Sequence, residues 1–71
     1  MNRFNPKKLL NSKWTASAPQ NKELHFIVTE LLRDEDEVIT GCVLEAVMTK
    51  NSYPMTLSEL KNSENWLLGW Q

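Results

Sequence analysis

Apolar and polar residues alternate along two stretches, Leu24 to Arg33 and Val38 to Lys50, separated by the acidic tetrapeptide Asp34-Glu35-Asp36-Glu37. A period of two marks strands, because successive strand side chains point to opposite faces. The two stretches therefore predict a long β-hairpin over 24–50. Its even positions are Leu24, Phe26, Val28, Glu30 and Leu32, then Val38, Thr40, Cys42, Leu44, Ala46 and Met48. In each strand they form the more apolar face, which predicts the core side. Opposed residues share a face, so the register should pair even with even around a loop of three or five residues. The odd face is not clean either. Ile27, Leu31, Ile39, Val43 and Val47 would leave an apolar stripe in water. Curling of the sheet, a terminal segment or a second subunit must cover it. Gly41 predicts a bulge or sharp bend that would help the sheet curl.

The flanks carry shorter signals. Asn5-Pro6 reads as a helix start, giving a turn or so from Pro6 to Leu10. Lys13 to Ala16 suits a short strand that Pro19 ends, and Gln20-Asn21-Lys22 reads as a turn. After the hairpin, Asn51-Ser52 is a turn and Tyr53-Pro54-Met55 an edge strand, since proline lacks the ladder donor. Thr56 with Glu59 fits a capping box for a helical turn from Leu57 to Lys61. Ser63 can cap a last helix carrying Trp66, Leu67 and Trp70, with Gly69 at its end. The fold class is mainly β: a small curled antiparallel sheet of three to five strands, with short terminal helices. By analogy alone, an SH3-like partial barrel is the nearest architecture. One small domain, 1–71, is expected, with a basic N-terminal arm 1–12, a hairpin core 24–50 and a C-terminal helical segment 57–70.

Composition changes this picture in two ways. A chain of 71 residues lies near the lower limit for a self-sufficient core. Its single cysteine, Cys42, forbids an internal disulfide, and its single histidine, His25, argues against a zinc site. Aromatic packing by three Trp, or association, must then supply stability. No signal peptide or membrane-length apolar run is visible, and with a lone reduced thiol this predicts a cytoplasmic protein. The net charge of −1 hides a polarised chain. Arg3, Lys7, Lys8, Lys13 and Lys22 meet no acid before Glu23, after which nine acids face Arg33, Lys50 and Lys61. Either the arm folds back on the acidic body, or Arg3, Lys7, Lys8 and Lys13 are offered to the phosphates of a nucleic acid.

Taken in order, Ser12-Lys13-Trp14-Thr15, Val28-Thr29-Glu30-Leu31, Leu44-Glu45-Ala46-Val47, Glu59-Leu60-Lys61 and Trp66-Leu67-Leu68-Gly69-Trp70 resemble a small tryptophan-rich family of hypothetical bacterial proteins of unknown function. The resemblance covers nearly the whole chain. It implies a further Trp where this chain has Leu57, so any surface built on that residue is missing here. It implies no activity and carries over no site residues.

Candidate chemistry is sparse. Trp14, Trp66 and Trp70, with Phe4, Phe26 and Tyr53, could form a groove or cage for a peptide, a cation or a base, or could simply fill the core. Trp14, Trp66, Trp70 and Tyr53 are the binding candidates. Glu30 and Glu45 should point to opposite faces, which argues against an acid–base dyad. His25 lacks triad partners, and Cys42 falls on the core face as an inert thiol. The acidic loop lacks the glycine and distal glutamate of a calcium loop, and no phosphate-cradling glycine loop exists. No catalytic residue, metal or cofactor is expected. The leading expectation is a non-enzymatic protein-binding module with an unknown protein partner and no membrane. Nucleic-acid binding through the arm and self-association through the second hairpin face are the alternatives.

Overall fold

The computed structural model describes residues 2–20 and 22–71. A 3-10 turn, Pro6–Lys8, leads into five strands: β1 (Lys13–Gln20), β2 (Glu23–Arg33), β3 (Ile39–Ala46), β4 (Ser52–Thr56) and β5 (Trp66–Leu68). A short helix, α1 (Leu57–Lys61), lies between β4 and β5. All pairings are antiparallel, and the strands form one sheet in the order β4-β3-β2-β1-β5. The protein is therefore mainly β, as expected. The sheet is not curled into the SH3-like partial barrel drawn by analogy, since it stays open, with β4 and β5 at its two edges.

The hairpin pairs even with even, as Phe26↔Ala46 and Val28↔Leu44. Beyond Val28 the register shifts by one, because Thr29 bulges out and Glu30 opposes Val43. This bulge corrects two expectations. Leu31 now opposes Cys42 and packs against the core, while Glu30 moves beside Val43 on the second face, the same face as Glu45. Register thus removes the charge that alternation had placed inside. A second shift, at Thr40, lies beside Gly41. A Cβ there would stand 2.3 Å from the Met55 carbonyl oxygen, so glycine lets β4 close on β3.

At the hairpin tip, Asp34 accepts from the backbone of Asp36 and Val38 through Oδ1, and Glu37 takes φ 64°. That is a type I turn closed by a left-handed residue. β3 ends at Ala46 rather than running to Lys50. Ala46 donates to the Asn51 carbonyl and Lys50 to the Ala46 carbonyl, so Val47 to Lys50 become the turn into β4 and Met48 is left 83% exposed.

The core occupies one face only. Trp14, Phe26, Val28, Cys42, Leu44 and Ala46 supply the sheet side, and Leu9 and Leu60 close it from above. Leu60 comes from α1, whose Thr56–Glu59 capping box forms in both directions as predicted. Leu9 comes from the arm, where Asn5 caps a 3-10 turn shorter than the expected Pro6–Leu10 helix. Apolar and backbone contacts fasten that arm. Phe4 meets Trp14 edge to face at 5.7 Å, and Asn2 donates to the carbonyls of Lys61, Leu60 and Trp66.

Two further expectations fail, at β1 and β5. β1 runs through Pro19 to Gln20, because Pro19 sits in the irregular span between Thr15 and Gln20, where no ladder donor is required. The turn expected at Gln20-Asn21-Lys22 includes Asn21, which lies outside the described residues. The last helix is a strand: β5 pairs Ala16↔Trp66, Thr15↔Leu67 and Trp14↔Leu68. A single isolated turn of helix is marginal in water, whereas the open edge of β1 offers a row of hydrogen bonds. The edge wins.

Candidate functional site

The face that carries the core is not closed along its whole length. Trp66 on β5 and Tyr53 on β4 stand at opposite sides of the sheet, with Phe26 of the central β2 between them. Strand pairing dictates this placement. Trp66 opposes Ala16 and Tyr53 opposes Leu44, all on the core face. Both outer rings meet Phe26 steeply, Trp66 at 5.0 Å and 82° and Tyr53 at 6.1 Å and 66°. Phe26 is thus the floor of a cleft of about 500 Å³, with Trp66 and Tyr53 among its walls. Ala16 and Ala18 keep the β1 side low, and Met55 and Asn65 complete the rim.

Among the described residues one charged side chain lines the cleft, Glu23 at the start of β2. It is only 4% exposed. Its Oε2 accepts from the Thr49 hydroxyl and, at 3.1 Å, from the Asn51 amide, while Oε1 accepts from the Tyr53 hydroxyl. These donors hold the carboxyl below its ordinary value, the Thr49 bond most strongly. Its own hydrogen bond to Glu23 raises the Tyr53 phenol, which gives up its proton less readily beside a carboxylate. Three neutral donors therefore stabilise an anion without neutralising it.

Sequence reasoning missed this glutamate. Glu30 and Glu45 stand out because they interrupt apolar runs, whereas Glu23 directly precedes the alternating stretch and looks like part of the turn. A usable signal existed: Thr49, Asn51 and Tyr53 set three donors at a spacing of two, next to a turn.

The four binding candidates do not gather into one site. Trp14 is fully buried, its indole donating to Ser12 Oγ at 2.9 Å. Trp66 and Tyr53 share the cleft. Trp70 crosses to the second face, 45% exposed. There its ring lies 5.6 Å from His25 and under the Lys13 ammonium at 4.8 Å, and its indole donates to the Phe26 carbonyl. Thr15 anchors this tail, donating to the Gly69 carbonyl and accepting from the Gln71 amide. Of the basic residues, Arg3, Lys7 and Lys8 are exposed on the arm, whereas Lys13 belongs to the second face. Cys42 is buried, and burial pushes its thiol up to about 11. Among the described residues, no group of three or more metal-ligating side chains exists, and no helix is long and apolar enough to cross a membrane.

Compared with known proteins, residues 12–71 match the model of a tryptophan-rich protein family, DUF2389. No curated protein and no solved structure matches the chain.

Proposed function

The chain belongs to that tryptophan-rich family, and we propose that it acts as a small non-enzymatic module that binds a segment of another protein in the Phe26–Tyr53–Trp66 cleft. One observation carries the reading: aromatic rings line an open hollow on the same face where Leu9 and Leu60 seal the rest of the core. Interiors pack densely, so a mainly apolar cleft with a charged anchor has the make-up of a binding site. The nucleophile best suited to chemistry, Cys42, is buried with a raised pKa, which favours binding over catalysis.

Titration of the isotope-labelled protein with a panel of short peptides tests this. Saturable shifts should centre on Tyr53 and Trp66, vanish in Trp66→Ala, and survive Trp70→Ala. A panel that leaves both residues unmoved overturns the reading.

A second reading rests on the opposite face. Ile27, Val43 and Val47 are half-buried there and Leu67 is 36% exposed, while Trp70 covers only the end near His25. Self-association through this face predicts a mass that doubles with concentration in light scattering. Nucleic-acid binding ranks lower, because Lys13 stands apart from the arm's Arg3, Lys7 and Lys8, so the four do not form one phosphate track.

A further inference from the structure

The chemistry of the cleft narrows its occupant, provided the cleft is the binding site as proposed above. We propose that it receives a positively charged side chain, an arginine or lysine, projecting from the partner protein.

Three features on the same face converge on a cation. Phe26 is crossed steeply by Trp66 and Tyr53, which gives a floor and two steep aromatic sides. Ring faces carry the negative part of the aromatic quadrupole and attract cations within about 6 Å of the centroid. The protein already uses this contact elsewhere, with Lys13 over Trp70 and Lys61 over Phe4.

The second feature is Glu23. Among the described residues it is the one formally charged residue lining the cleft, and its three partners there are neutral. A buried carboxylate is normally matched by a cation, and here a cation can arrive with the ligand. The third is the division of its lone pairs. Among the described residues, Oε2 accepts two bonds and Oε1 one, from Tyr53. A carboxylate oxygen has room for another donor, so Oε1 can still accept an N–H at the Tyr53 wall. The alkyl stem of a lysine or arginine would lie along Met55 and the ring faces, as such stems do on apolar surface.

The test uses capped single residues: N-acetyl-arginine and N-acetyl-lysine methylamides, against their neutral counterparts citrulline and norleucine. The Tyr53 and Trp66 signals of the labelled full chain are followed. The cationic pair should give saturable shifts, with dissociation constants at least about tenfold below those of the neutral pair. Glu23→Gln should erase that preference. Because this substitution can disturb the fold, Tyr53→Phe provides a second arm. It keeps the ring and the carboxylate and releases Oε1, so cation binding should hold or tighten. A tenfold loss in Tyr53→Phe overturns the proposal. Equal binding of norleucine and lysine also overturns it, yet leaves the cleft intact as a binding site. If none of the four compounds moves Tyr53 or Trp66 while the peptide panel does, the charge preference alone falls. If the panel also fails, the cleft falls with it.

Discussion

Glu23 and Tyr53 report on each other, which makes the site measurable before any ligand is known. The chain has a single tyrosine, so its ultraviolet tyrosinate absorbance reads Tyr53 alone. Beside the Glu23 carboxylate the phenol should ionise at a higher pH than the ordinary value of about 10. Glu23→Gln should bring the transition back, and an unchanged midpoint would dissociate the pair. The same contact shapes stability at both ends of the pH scale. Glu23 has a lowered folded pKa, so its contribution is present above the ordinary carboxylate value of about 4.3 and is lost as pH falls through the lower folded value. Tyr53 has a raised folded pKa, so its contribution is present below about pH 10 and is lost as pH rises through the folded value. Thermal melts from pH 7 to pH 3 should thus fall more steeply for the native chain than for Glu23→Gln. Cys42 behaves differently. A buried thiol raised to about 11 should resist a disulfide reagent until the protein unfolds. Stoichiometric labelling of native protein within seconds would contradict that placement.

At the scale of elements, glycine and register decide more than propensity does. Gly41→Ala would push a methyl group into the Met55 carbonyl across the β3–β4 ladder. An overpacked contact of this kind costs about 1–3 kcal/mol, so the denaturant midpoint should drop with little change in slope. Gly69 is the contrasting case. Its φ is +82° and nothing stands within 4 Å of a Cβ, so Gly69→Ala should cost about 1–2 kcal/mol through backbone strain alone. Quenching of Trp70 fluorescence should rise with it, because Gly69 turns the chain from β5 onto the second face.

These cases also mark what the sequence could disclose. The hairpin, the Tyr53-Pro54-Met55 edge and the capped helix from Leu57 were legible, since alternation, proline and the Thr56–Glu59 pair are local signals. β5 was not. Trp66, Leu67 and Trp70 fit one turn of helix as well as a strand followed by a bend, and only the vacant edge of β1 decides between them. The Thr29 bulge was equally hidden, because an extra residue leaves the pattern intact and shifts only the face that follows. The cleft depends on both. Trp66 reaches it only as a strand residue, and Glu23 anchors it through donors that lie 26 to 30 positions away along the chain.

The whole molecule is a sheet with a core on one side, so the parts that close that side carry disproportionate weight. A domain of 71 residues has roughly 4–11 kcal/mol of stability in hand. Leu60 is fully buried on a helix of five residues, and with Leu9 it closes the core over the sheet. Leu60→Ala removes buried methyl groups and leaves a cavity that the open sheet cannot close from its other face. Such truncations cost about 2–5 kcal/mol, which is half or more of the total at the lower end. Leu68→Ala, at a half-exposed position on the edge strand, should cost well under 1 kcal/mol. Chemical denaturation of the two variants therefore separates the helix that closes the core from the edge strand beside it. If Leu60→Ala unfolds at nearly the native midpoint, the second face must be holding the sheet together, and the self-association reading gains what the cleft loses. If Leu60→Ala is half-unfolded in water while Leu68→Ala is indistinguishable from native, the aromatic cleft lies beside the element that keeps the protein folded. An occupant gripping Trp66 and Tyr53 would then raise the midpoint of the Leu60→Ala variant, because anything that binds only the folded state stabilises it.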